Sequence, residues 1–121
     1  GGSYYVAIKH RNSLETWSAS PITTASTNSV DFSASLSAAY GDGVNDPMAN
    51  MGSGVYAIYG GDVNQDGTVD SQDMIITEND ASAFAFGYNV SDCTGDGASD
   101  SNDMILIENN AGLFLFYARP Y

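Results

Sequence analysis

Asp62-Val63-Asn64-Gln65-Asp66-Gly67-Thr68-Val69-Asp70-Ser71-Gln72-Asp73 is the stretch around which the chain is organised. Oxygen-bearing side chains stand at its first, third, fifth, ninth and twelfth places: Asp62, Asn64, Asp66, Asp70 and Asp73. Gly67 stands sixth, where the backbone must turn sharply, and Thr68 stands seventh, where it can offer a carbonyl. This is the spacing by which a twelve-residue loop wraps a hard divalent cation in oxygen ligands. Carboxylates set this close repel one another unless a counter-ion joins them. The pattern returns thirty residues later over residues 92–103, with Asp92, Thr94, Asp96, Ala98 (through its carbonyl), Asp100 and Asp103 in the ligand places. One acidic Asp-Gly turn is commonplace. Two copies in register predict two Ca²⁺ sites. Thr94 replaces the asparagine of the first copy with a shorter, weaker ligand, so the first site is expected to bind more tightly.

Each loop runs into an apolar stretch, residues 74–81 and 104–111, in which Met74, Ile75 and Glu78 recur as Met104, Ile105 and Glu108. A short helix is predicted over each, with Asp73 and Asp103 at the positive end of its dipole. Helices this short do not persist alone. They are expected to need the metal and to pack antiparallel about a pseudo-twofold axis. The register continues through Phe84-Ala85-Phe86 and Phe114-Leu115-Phe116.

Residues 60–121 resemble the type I dockerin repeat pair, which reads DxNxDGxxDxxD followed by an apolar helix, twice. Asp73 and Asp103 stand where a sensor EF-hand carries glutamate, and no helix is evident ahead of either loop. The first copy matches at every ligand place; the second departs at Thr94. The resemblance implies structural calcium, an extracellular or cell-surface setting, and a cohesin-type partner met through Ser71-Gln72 and Ser101-Asn102. The first half is similar to regions near the C-termini of secreted proteins of the Bacteroidetes group. There an immunoglobulin-like β-sandwich precedes a dockerin-like tail, and further strands lie upstream of the position matching Tyr4. Without those strands the sandwich would have an open edge and an uncovered apolar face.

The residues of the first half are read as strands on their own account. Tyr4, Val6 and Ile8 alternate with Tyr5, Ala7 and Lys9, which predicts a strand over residues 4–10. A second is expected around Trp17. Residues 18–29 are rich in Ser and Thr and read as a loop with edge-strand character. Val30, Phe32, Ala34 and Leu36 alternate with Asp31, Ser33 and Ser35, so residues 30–36 are expected to form a half-buried strand. A glycine-rich loop over 41–54 follows, then a strand over 55–60 leading into the first acidic loop. The expected architecture is α+β: a β-sandwich-like portion over 1–60, then a calcium-binding portion over 61–121 with a C-terminal strand.

Charge narrows the function. The net charge is −12, from fifteen acids against Lys9, Arg11 and Arg119, and eight of the acids lie in the two loops. Two Ca²⁺ would bring −12 to −8. Nothing here neutralises phosphates, which argues against nucleic acid, and no apolar run is long enough to cross a membrane. Cys93 is the only cysteine, so neither a disulfide nor a zinc site is expected; it holds the second place of its loop, a non-ligand place expected to point outward. Asn89-Val90-Ser91 is the one N-glycosylation sequon. Of the seven acids outside the loops, Glu15, Asp31, Asp42 and Asp46 show no pairing for catalysis, so no enzyme is expected. Two assembly roles remain. Residues 113–117, apolar and β-prone, could complete a sheet in a neighbouring copy and so build a filament of copies of this chain, or could cover their own domain. Alternatively, the repeat pair plugs into a cohesin-type protein.

Overall fold

The computed structural model describes residues 2–24 and 27–120; Ala25 and Ser26 of the predicted loop lie outside the described residues. The fold is α+β, with short antiparallel ladders and two helices. It comprises two compact units that interleave in sequence. Gly1–Lys9, Glu15–Ile58 and Tyr117–Tyr121 form the first; His10–Leu14 and Tyr59–Phe116 form the second.

In the first unit, β1 (Ser3–Tyr4) pairs with β4 (Ile22–Thr23), and β2 (Ala7–Ile8) pairs with β3 (Thr16–Trp17). The single strand expected over 4–10 is therefore two pieces. Ser18 causes the break. Its amide donates to the Val6 carbonyl at 2.8 Å, while its hydroxyl takes the Val6 amide at 3.0 Å and donates to the Ser20 carbonyl at 2.9 Å. A side chain thus fills a ladder position, and the register shifts: Ala7 faces Trp17, but Tyr4 faces Ile22. β5 (Ala49–Asn50) and β6 (Tyr56–Ala57) form a hairpin, which puts the predicted 41–54 loop partly into a ladder. Glu15 gathers the unit's charges. It accepts from Trp17 Nε1, Lys9 Nζ lies 3.1 Å away, and Arg119 Nε donates to it at 2.9 Å.

Residues 30–36 are not a strand. Asp31 Oδ1 accepts from the Ser33 amide at 2.9 Å and from its hydroxyl, and Ser35 caps a 3₁₀ turn over Leu36–Ala38. Short polar side chains offer the backbone local partners that compete with ladder bonds. They override the alternating pattern here, and Ala34 is exposed. No closed sandwich is formed among the described residues.

In the second unit, α1 (Ser71–Ser82) and α2 (Ser101–Ala111) pack against each other. Both begin three residues ahead of the apolar run that predicts them. Asp70 and Asp100 are the N-caps, and each closes a capping box with the acid three places on, Asp73 or Asp103. Burial along residues 71–80 repeats place for place at 101–110, with Thr77 and Ile107 fully inside. Val63, Val69 and Leu115 complete this core. Gly61, at φ 108, lies where an added Cβ would stand 3.1 Å from Val69 Cγ1 and 3.3 Å from Ile107 Cγ1. A larger residue there would be strained in its backbone and would crowd both side chains.

The C-terminal stretch departs from the strand expected over 113–117. Leu113 and Phe114 lie in a turn, Phe114 has φ 55, and only Phe116 forms a bridge, to Thr68. Leu113 is half-exposed while Leu115 is buried.

Candidate metal centre

The two loops fold alike because the same acids organise the same amides. Asp62 accepts from the amides of Asp66 and Gly67, each at 3.1 Å, and Asp92 accepts from Gly95 at 2.7 Å, Asp96 at 3.1 Å and Gly97 at 2.9 Å. At the twelfth place Asp73 gathers the amides of Val63, Asn64 and Asp70, at 2.7, 3.1 and 2.9 Å. Asp103 takes those of Thr94 and Asp100, at 2.9 and 2.8 Å. Gly67 and Gly97 both sit at φ 91, a backbone region that glycine enters without penalty. Asp66 and Asp96 each accept from the residue two places on, Thr68 and Ala98. Asp70 and Asp100 cap their helices through the amides of Gln72 and Asn102, both at 2.8 Å.

Asp62, Asp73, Asp92 and Asp103 are buried carboxylates, and among the described residues none is ion-paired to Lys or Arg. A buried charge is costly unless something of opposite sign joins it. Burial, reinforced by the charges of Asp73 and Asp66 and opposed by the amides of Gly67 and Asp66, pushes Asp62 up to about 6. Burial likewise raises Asp73 against the amides of Asp70, Asn64 and Val63. Burial acts upward on Asp92 too. There the amides of Gly97, Gly95 and Asp96, with the charge of Arg11, outweigh it and hold the carboxyl below its ordinary range.

Asp92, Asp96 and Asp103 each bring a carboxylate oxygen within 4.8 Å of the others. Two oxygens on opposite sides of a calcium ion stand about twice 2.3–2.6 Å apart, so the trio fits within one coordination shell. The all-oxygen donor set suits a hard cation. Thr94 adds little in this arrangement: its hydroxyl donates to Asp92 Oδ1 at 3.4 Å. Asn64 holds the equivalent place of the first loop with its Oδ1 on the Asp66 amide and its Nδ2 on Asp66 Oδ2, at 2.9 and 3.0 Å. At the seventh places, the backbones of Thr68 and Ala98 are bridged by Phe116 and Phe86.

Cys93 does not point outward. It is half-buried, and burial, with the charges of Asp103, Asp73 and Asp92, pushes its thiol up to about 12, which disfavours the thiolate. The signal was in the repeat: Cys93 falls on Val63, a core residue. The sequon is likewise committed. Asn89 Oδ1 accepts from the Ser91 and Asp92 amides and the Ser99 hydroxyl, at 2.9, 3.2 and 2.9 Å, and its Nδ2 is buried. Asn89 ties the start of the second loop to its eighth place, Ser99, and Tyr59, its place in the first repeat, gives no hint of that role. Arg11 and Asn12 also reach the second loop, through the carbonyls of Asn89, Val90 and Asp92. Comparison of the chain with protein-family models, with curated proteins and with solved structures finds no match.

Proposed function

We propose that this is a non-catalytic module of protein assembly, working outside the cell or at its surface. Its second unit would be a dockerin-like repeat pair stabilised by two Ca²⁺ that docks a protein partner. The observation that carries the docking reading is the pair Phe84 and Phe114. Each follows a helix in left-handed backbone, at φ 53 and 55, and they are 84% and 80% exposed. A side-chain-bearing residue costs about 1–2 kcal/mol in that conformation, and burial returns nothing at this exposure. Strain at an exposed aromatic pair, repeated at a thirty-residue interval, supports a role at the surface. Phe84, with Ala81, Ala85, Phe86, Ala98 and Ser99, lines an open groove of about 350 Å³. Ser71, Gln72 and Ile75 are exposed on α1, as are Ser101, Asn102 and Ile105 on α2. A cohesin-type protein is the partner this face would take.

A second reading, assembly of copies into a filament, is favoured by the first unit. Among the described residues its strands form only two-stranded ladders of two residues each, and such short sheets can take a further strand. A strand-incomplete, immunoglobulin-like sandwich would be completed by residues 113–117 of a neighbouring copy, once released from Thr68 and Val69. A head-to-tail contact of that kind that does not close builds a fibre.

Negative-stain microscopy and cohesin pull-down, each with calcium and with chelator, separate the readings. Calcium-dependent retention of a monomer, lost in Phe84→Gly/Phe114→Gly, supports docking. Fibres support exchange of strands. A monomer that no cohesin-type protein retains contradicts both.

A further inference from the structure

We propose that His10–Leu14 is a strap coupling the two calcium loops, with Asn12 as its central positioning residue. The inference rests on the calcium reading above and deepens it. Asn12 is 2% exposed although it lies far from either loop in sequence. Its side-chain amide donates to the carbonyls of Val90 at 3.0 Å and Asp92 at 2.9 Å, and so fixes the backbone that carries the first ligand of the second loop. Its own carbonyl accepts from the Gly61 amide at 2.7 Å, immediately ahead of the first ligand of the first loop. One residue therefore holds the entrances of both loops.

Its neighbours extend the hold on both sides. The Ser13 carbonyl accepts from Gln65 Nε2 at 3.1 Å, at the fourth place of the first loop. The Leu14 amide donates to the Tyr59 carbonyl at 2.8 Å. Arg11 reaches the other way: its Nε donates to the Asn89 carbonyl at 3.3 Å and Nη2 to that of Asp92 at 3.4 Å. Its guanidinium carbon lies 4.2 Å from the centre of the Tyr88 ring. Stacking and a planar fork of donors hold this side chain in one pose.

The repeat tails link the loops at their seventh places, Phe116 on Thr68 and Phe86 on Ala98; the strap adds a separate link at the loop entrances. Calcium in the first loop would order Gly61 and Asp62, hence the Asn12 carbonyl, hence the strap and the Asp92 backbone. The second ion would then meet a loop already ordered, and linkage makes the effect reciprocal. The two sites should therefore fill with positive cooperativity.

The test is a calcium titration of the metal-free full chain, followed by the amide resonances of Gly67 and Gly97, one in each loop. In the parent chain the two should move together. Asn12→Ala should separate them, and Arg11→Gln should weaken the Gly97 transition by about tenfold, within the usual range of couplings, with a smaller effect at Gly67. Lys9→Gln, in the first unit, serves as the control and should titrate as the parent does. If Asn12→Ala does not fold, Arg11→Gln decides. Parental calcium binding at both loops that Arg11→Gln leaves unchanged overturns the strap and spares the calcium reading. A parent chain that binds no calcium overturns both.

Discussion

Phe116 pairs with Thr68 in an antiparallel bridge, so the tail of the second repeat lies on the loop of the first. The tail of the first repeat returns the contact: Phe86 bridges Ala98 in the loop of the second. Flanking bonds repeat the exchange, Val69 amide to Leu115 carbonyl at 3.1 Å and Ser99 amide to Ala85 carbonyl at 2.9 Å. Neither repeat completes its own loop.

Leu115 is thus a core residue of its own chain, 3% exposed, whereas Phe114 beside it faces outward. Leu115→Ala should lower the stability of the second unit by about 2–5 kcal/mol, and Phe114→Ala by less than about 0.5 kcal/mol. Urea denaturation in excess calcium measures both. Equal effects would contradict the account.

Glycine takes left-handed backbone without strain. Phe84→Gly and Phe114→Gly should each raise stability by about 1 kcal/mol while weakening any partner contact. A clear loss of stability in the isolated chain would show that the exposed rings serve the fold instead.

Acid should act in opposite directions with and without calcium. The carboxyl of Asp62 is raised to about 6 in the folded chain from an ordinary 3.8. The folded state then binds the extra proton, so metal-free stability rises as pH falls from about 6 toward 4. In calcium the same protons displace the ion, and stability falls. Melting curves at pH 6.5 and 4.5 with chelator and with calcium decide; one shared direction would refute this.

In the first unit the sign is the ordinary one for a carboxylate. Burial raises Glu15, but the hydrogen bonds from Trp17, Arg119 and Lys9 and the Arg119 charge hold it below 4.5. Its contribution is present above the unfolded value and lost as pH falls through the folded one. Trp17 fluorescence should report an acid transition that Glu15→Gln shifts; an unchanged profile would discount the cluster.

The repeat made much of the second unit legible. Acid spacing located both loops, and the offset carried Met74 onto Met104 and Phe84 onto Phe114. The helix starts were hidden because a capping turn such as Asp70-Ser71-Gln72-Asp73 is polar and carries no apolar period. The first unit was harder to read. Alternation at 30–36 lost to local bonds from Asp31 and Ser35, and the strand over 4–10 was cut by a hydroxyl from Ser18, the residue after β3. Asn12 and Arg11 carry no motif, since their partners, Gly61, Asn89, Val90 and Asp92, lie far along the chain and only the fold brings them together.

Calorimetric titration of the metal-free chain with Ca²⁺ tests the central claim most directly. Two equivalents should bind, with dissociation constants of about 10⁻⁷ to 10⁻³ M. Each site should add roughly 2.7 kcal/mol of stability at a hundredfold excess of free ion over its dissociation constant. A flat titration, or a melting temperature that chelator leaves unchanged, would contradict the account.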